Sequence, residues 1–313
     1  MKPDILLIEP MMATIEQSLD QNYVVHRFFT SSDPMRLLND VGGRIRGIAT
    51  GGGAGVSPAI FDALPKLEII AINGVGTDAV DLNKAKARGV RVTTTPNVLT
   101  DDVADLGIAL LLAVSRGLCV GDRFVRDGHW ARQAALPLAR KITGKRLGIF
   151  GMGRIGRAIA RRAEPFDMKI AYTDLNPVAD VSYDFVPDAI ALASRSDFFV
   201  IAAAGGPQSK SAIGHRVFEA LGPDGFVVNV ARGSVVDEEA LVSALVERRI
   251  AGAGLDVFAD EPNVPSALLG LDNVVLQPHR ASATIETRIA MGELVLANLA
   301  AHFAGVPLKT PVI

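Results

Sequence analysis

Three short motifs carry side chains suited to one reaction. NVARGSVVDEEAL sets Arg232 just after an apolar run, AGLDVFADEP brings Asp256 and Glu261, and VVLQPHRASAT sets His279 after Pro278. Reduction of a 2-oxo acid by hydride needs such a set. An arginine offers a planar, permanently charged fork for the carboxylate and the ketone oxygen. A histidine can release a proton near neutral pH to the oxygen that becomes an alkoxide. A neighbouring carboxylate orients the imidazole and favours its protonated form. Each residue taken alone has a plainer reading. Arg232 can be a surface arginine at a strand end, Glu261 an exposed turn residue before Pro262, and His279 a structural histidine. Their occurrence after three successive predicted strands makes Arg232, Glu261 and His279 a candidate catalytic set, since ligands of open α/β sheets bind at those ends.

A second constellation supplies the partner for such chemistry. In KRLGIFGMGRIG a short apolar run leads into Gly151-Met152-Gly153-Arg154-Ile155-Gly156 and then a helix-like stretch. The first glycine of such a turn permits the tight bend, the second admits a pyrophosphate to the backbone, and the third allows close helix–strand packing. The helix N-terminus adds free N–H groups and a positive dipole end. The following strand, KIAYTD, ends in Asp174, near the roughly 20-residue offset of a ribose-binding acid. No Lys or Arg occurs from Leu175 to Val186 to attract a 2′-phosphate, so NAD(H) is the expected cofactor. Arg154 and Arg157 nearby keep NADP(H) open, and a purely structural role for Asp174 in its turn stands beside the cofactor reading.

The elements that position these groups follow from the pattern of apolar runs. Strands are predicted at Ile5–Ile8, Val24–Phe28, Gly47–Thr50, Glu68–Ile72 and Arg91–Thr94, separated by helical stretches and Gly- and Asn-rich loops, which argues for a parallel sheet covered on both faces. Thr100 is expected to cap a long helix with Asp101 and Asp102 in its first turn, reaching about Ser115. Six more strands are predicted at Arg146–Phe150, Ile170–Asp174, Phe198–Ala202, Phe226–Val230, Ala253–Val257 and Val274–Gln277, the count of a complete doubly wound dinucleotide domain. A final helical stretch begins near Thr284.

Composition narrows the remaining classes. At 313 residues with 49% hydrophobic and 21% charged residues, the chain has the size of about two globular domains. A net charge of -2 without a basic block gives no footprint for nucleic acid. Cys119 is the single cysteine, which excludes an intrachain disulfide, and its apolar surroundings predict a buried residue rather than a reactive thiol. The run around it is broken by Ser115 and Arg116, too early for a membrane span. The opening MKPDILLIEP has no signal-peptide pattern, so a cytoplasmic protein is expected. No His-Glu-x-x-His or similar spacing points to a metal.

At these residues the chain resembles the D-isomer-specific 2-hydroxyacid dehydrogenases, in the branch of glyoxylate/hydroxypyruvate reductases and plant-type hydroxyphenylpyruvate reductases. The matching stretches include DALPKLEII, GVRVTTTPNVLTDDVADLGIALLLA, GKRLGIFGMGRIG, VNVARGSVVDEEALVSAL, GAGLDVF and ETR near the C-terminus, and the likeness spans essentially the whole chain. It implies an α/β protein of two doubly wound parallel-sheet domains. A Rossmann dinucleotide-binding domain with a dimer arm (98–284) is inserted in a flavodoxin-like substrate domain (1–97, completed by a helix at 285–313). It implies Arg232 and Glu261 as catalytic assistants, His279 as proton donor, and Arg232 and His279 in contact with substrate. It further implies that the backbone at Val75 and Gly76 holds the substrate carboxylate, that Asp256 reaches the nicotinamide amide, and that backbone near Val230 lines the same pocket. For Asp256 a simple strand-end role is the alternative. A homodimer acting on small 2-oxo or 2-hydroxy acids completes the expectation. Trp130, the only tryptophan, lies in the implied arm, either near a partner's site or as an interface or core anchor. Two departures stand out: Arg280 where a small or apolar residue is usual, and AAAGGPQSKSAIG with Gly205 and Gly206 in place of a Pro-Leu-Thr-Pro-Glu-Thr pattern. Two other readings remain: a reductase of bulkier 2-oxo acids such as hydroxyphenylpyruvate, and a non-catalytic NAD(H)-sensing protein.

Overall fold

A computed structural model describes residues 2–313, which divide into two compact units. One comprises residues 2–99 with Ser282–Ile313, the other Thr100–Ala281. The changeovers fall a few residues from the expected 97/98 and 284/285 boundaries.

The first unit is a sheet of five parallel strands: β1 (Asp4–Leu7), β2 (Val24–Arg27), β3 (Ile45–Gly51), β4 (Ile69–Asn73) and β5 (Arg91–Thr93), in the order β2-β1-β3-β4-β5. This is the flavodoxin-like order of doubly wound sheets. Alternate residues of one strand serve two cores, because successive side chains point to opposite faces. Leu6, Ile8, Ile48 and Ile70 join Phe61, Leu64 and Val80 on one face. Ile5, Leu7, Ala49 and Ile69 join Leu19 on the other. The helix Ile285–Phe303 completes that second face with Val295 and Leu299, each buried to about 1.5–3 kcal/mol of apolar stabilisation. Thr284 caps it by accepting the Thr287 N–H (3.2 Å). The last residues then return along β5, where Val312 N–H donates to the Val92 carbonyl. The C-terminal segment therefore packs on this sheet.

The second unit has seven parallel strands rather than six: β6 (Arg146–Phe150), β7 (Lys169–Thr173), β8 (Asp184–Phe185), β9 (Phe198–Ile201), β10 (Phe226–Asn229), β11 (Gly252–Leu255) and β12 (Val274–Leu276). Their order, β12-β11-β10-β9-β6-β7-β8, is the Rossmann arrangement with one added edge strand. The strand missing from the sequence reading is β8, whose two residues are too few to show a period. β9, β10 and β11 are buried at every position, as expected of parallel strands covered on both faces. Thr100 is itself the first residue of the helix Thr100–Arg116 rather than its cap, with Asp101 and Asp102 in the first turn. Cys119 is exposed, contrary to expectation. It sits on the short helix Leu118–Arg126, none of whose residues is buried. Among the described residues no single helix is long and apolar enough to cross a membrane, and no cluster of metal-ligating side chains forms.

Candidate active site

The predicted catalytic residues lie just beyond the C-terminal ends of β10, β11 and β12, three adjacent strands. Parallel strands lie ~4.8 Å apart, so their ends bring residues distant in sequence side by side. Beyond β10, Asn229 shapes the turn that carries Arg232. Its side-chain oxygen accepts the Ala231 N–H (3.0 Å) and its amide donates to the Arg232 carbonyl (3.1 Å). Arg232 is further braced by donating to the Ala231 carbonyl (2.8 Å). Gly233 follows where a Cβ would collide with the Phe258 backbone, so the turn after β10 presses against the turn after β11. Asn229 and Gly233 were not singled out from sequence. The signal was present in the same NVARG motif but reads as function only once the turn is seen.

Beyond β11, Glu261 accepts the Phe258 N–H through Oε1 (3.0 Å) and pairs through Oε2 with His279 Nδ1 (2.6 Å). Both side chains are about one-third exposed, 36% for His279 and 32% for Glu261. Burial pushes the Glu261 carboxyl up, but the bonds from His279 and Phe258 and the charges of His279 and Arg232 outweigh it, leaving the group below its ordinary range. The group is therefore an ionised acceptor, and Nδ1 must carry the hydrogen between them. That tautomer leaves Nε2 to exchange a proton with a substrate.

Beyond β12, the ladder continues irregularly. Gln277 N–H donates to the Leu255 carbonyl and His279 N–H to the Asp256 carbonyl, both 2.8 Å. His279 itself has φ +47, a left-handed backbone that costs a non-glycine residue about 1–3 kcal/mol unless its surroundings impose it. Asp256 is 1% exposed. Its Oδ1 accepts the Arg280 N–H (2.8 Å) and its Oδ2 the Ala281 N–H (3.0 Å). Burial raises its carboxyl above the usual range, against the opposing pull of those two N–H groups and of His279. The Arg280 side chain is exposed.

The glycine-rich turn fits a dinucleotide. Gly151 has φ +97, and a Cβ there would meet the Ala203 backbone at 2.5 Å. A Cβ at Gly156 would strike the Gly151 carbonyl, so helix and strand pack as closely as the motif requires. Gly153 faces open space. Arg154 and Ile155 begin the helix Arg154–Ala163, while Met152 is buried behind the turn. Asp174 accepts from Met152 N–H (2.8 Å) and Leu175 N–H (2.7 Å), so it ties the turn to the end of β7. Its structural reading is thus seen directly, and each oxygen keeps further acceptor capacity. Val230 is buried, its N–H donated to the Ile201 carbonyl (3.3 Å). The Gly205–Gly206 loop closes on itself through Ser209, whose hydroxyl donates to the Ala204 carbonyl (2.7 Å). Val75 and Gly76 belong to the other unit, in the loop after β4, with Val75 exposed.

Comparison with known proteins gives the family. Residues 108–281, more than half of the chain, match the family model for the D-isomer specific 2-hydroxyacid dehydrogenase, NAD binding domain. The 2-ketogluconate reductase of Gluconobacter oxydans (strain 621H) is 49% identical over 312 residues, covering 100% of this chain and 99% of that protein. The hydroxyphenylpyruvate reductase of Plectranthus scutellarioides is 48% identical, covering 99% of this chain and 98% of that one. The NADPH-dependent glyoxylate/hydroxypyruvate reductase of Sinorhizobium meliloti, solved in complex with NADP and malonate, superposes with a TM-score of 0.93 at 42% identity over 100% of this chain and 97% of that chain. The family match over residues 108–281 and the likeness to such relatives over the full length place the chain in the D-isomer specific 2-hydroxyacid dehydrogenase family.

Proposed function

We propose that this protein is a nicotinamide-dependent reductase of small 2-oxo acids, of the glyoxylate/hydroxypyruvate type, forming D-2-hydroxy acids. The 2.6 Å pair between His279 and Glu261, within reach of the Arg232 charge, carries the reading. When bound, the cofactor supplies the hydride. Arg232 binds the substrate carboxylate and polarises the ketone, and His279 Nε2 gives its proton to the ketone oxygen as that oxygen gains charge. Glu261 holds the Nδ1 hydrogen and steadies the imidazolium before transfer. The backbone at Val75 and Gly76 contributes to carboxylate binding. Gly151 to Gly156 receive the pyrophosphate, and Asp174 the ribose. A carboxylate at that place repels a 2′-phosphate, so NAD(H) is preferred over NADP(H).

The working form is a homodimer in the cytoplasm. Trp130 is 70% exposed and Leu138 99% exposed, and with Leu118, Val125 and Leu136 they put apolar surface on the segment expected to be the dimer arm. This exposure sets aside the core-anchor reading of Trp130 and favours an interface. A chain with one thiol and no disulfide suits a reducing compartment.

The test is kcat/KM for glyoxylate, hydroxypyruvate, 2-ketogluconate and hydroxyphenylpyruvate, each with NADH and NADPH, for the wild type and His279→Ala. Turnover is expected with the small acids and a loss of ~10²–10⁴-fold in kcat for the variant, with NADH affinity little changed. A wild type that binds NADH but reduces none of the acids would support a sensing role instead. A kcat for His279→Ala near the wild-type value would remove His279 as the acid.

A further inference from the structure

We propose that Asp256 is a positioning residue whose carboxylate clamps the backbone after His279 and so fixes the turn that aims the imidazole at Glu261. The clamp rests on the reading of His279 as proton donor, and it gives Asp256 a duty separate from any contact with the nicotinamide.

Three successive N–H groups converge on this one residue. His279 N–H donates to the Asp256 carbonyl, Arg280 N–H to Oδ1 and Ala281 N–H to Oδ2. A buried carboxylate needs such donors, since it has left water behind. The arrangement serves the loop as much as the acid. His279 has a left-handed backbone without being glycine, a conformation that persists only where neighbouring structure over-determines it. The N–H groups on and after it are the ones Asp256 holds, with its carbonyl and both of its carboxyl oxygens as the acceptors. From that turn the ring reaches Glu261, which stands on the loop that Asp256 itself begins. One residue at the end of β11 thus fixes both the spacing and the direction of the pair.

The same geometry accounts for Arg280. What the turn requires of position 280 is a backbone N–H, which any residue but proline supplies, while the exposed side chain is free to vary. It also makes specific demands at position 256. Asparagine is isosteric but accepts at only one end, so its amino group would face one of the two N–H donors. Alanine removes both acceptors.

Hydrogen exchange at the Arg280 and Ala281 amides, NADH affinity by cofactor fluorescence, and the pH dependence of glyoxylate reduction, compared for wild type, Asp256→Asn, Asp256→Ala and His279→Ala, test the clamp. Both alanine-variant amides are expected to exchange at least ~10-fold faster, as local opening becomes easier. The kcat should fall ~10²-fold, the cost of misplacing a reacting group by ~1 Å. NADH affinity should stay within about threefold, which separates loss of turnover from loss of cofactor binding. The asparagine variant should lie between the two and carry the test if Asp256→Ala does not fold. Unchanged exchange at both amides would overturn the clamp. So would a fall in NADH affinity that matches the fall in kcat, since Asp256 would then act through the cofactor. If His279→Ala retains turnover, the proton-donor reading fails, and amide exchange still decides the clamp by itself.

Discussion

Replacing Glu261 with glutamine probes the site at its shortest contact. The substitution keeps the shape and removes the charge 2.6 Å from His279 Nδ1. Two unit charges at ~4 Å interact by about 1 kcal/mol in water and about 4 kcal/mol in the effective medium near a protein surface. With about one-third of each side chain exposed, solvent screening sets the loss near the middle of that range, about 2 kcal/mol. A loss of that size amounts to about 30-fold in the preference for the charged pair. The sign follows from the carboxylate's preference for the charged imidazole. Without it the charged ring is held less firmly, so reduction slows. The amide adds a second effect. Its one oxygen must choose between the Phe258 N–H and His279 Nδ1, both of which Glu261 now satisfies, so kcat also falls at the pH optimum. The assay is initial-rate NADH oxidation with saturating glyoxylate across the pH range, on folded protein checked by circular dichroism. A kcat within about threefold of the wild-type value throughout that range would refute the electrostatic coupling.

Arg232→Lys keeps the charge but loses the fork and the brace to the Ala231 carbonyl. At about 1.5–3 kcal/mol per charge-assisted hydrogen bond, kcat/KM should fall by ~10–100-fold, with KM raised and kcat lowered; steady-state values near wild type would remove its role. Asp174→Ser should narrow the NADH-over-NADPH ratio by roughly fivefold or more, the worth of about 1 kcal/mol of like-charge repulsion. It should also lower Tm, because the Met152 and Leu175 N–H groups lose an ionised acceptor; a wild type with a lower KM for NADPH than for NADH would overturn the cofactor preference. Light scattering at micromolar concentration should return twice the chain mass, and Trp130→Glu should shift it toward the monomer; a monomeric wild type would count against the apolar arm as an interface.

The parts legible in the sequence were those with a local signal. The five strands of the first sheet lie within about two residues of the apolar runs that announced them, and Gly151, Gly153 and Gly156 stand where their spacing put them. β8 was missed because two residues carry no period. Cys119 reads as buried from its apolar run, whereas the chain bends between Arg116 and Leu118 at left-handed Gly117 and turns the second helix outward. The duties of Asn229 and Asp256 were hidden for a different reason. Each acts through backbone groups, and backbone groups have no sequence signature.

The same distinction explains how three unremarkable residues become a site. Arg232, Glu261 and His279 are far apart in the chain, and nothing local to any of them favours catalysis over a surface role. β10, β11 and β12 are adjacent and parallel, so their C-terminal ends form one edge. Side chains there must meet whatever their separation along the chain. What the sheet does not supply is direction, since a strand end leaves its first loop residue free. Asn229 supplies it for Arg232 by shaping the turn after β10, and Phe258 supplies it for Glu261 by donating its N–H to the carboxylate. For His279, left-handed and preceded by a proline that cannot donate, direction comes from Asp256, which accepts the N–H of His279 and of the two residues after it. A carboxyl group buried at the end of β11 is costly to desolvate and would be a poor choice for stability alone. It becomes intelligible when its two oxygens are matched to the two N–H groups that follow the imidazole, which is why the fate of those amides in Asp256→Asn is the most direct measurement of how this site is built.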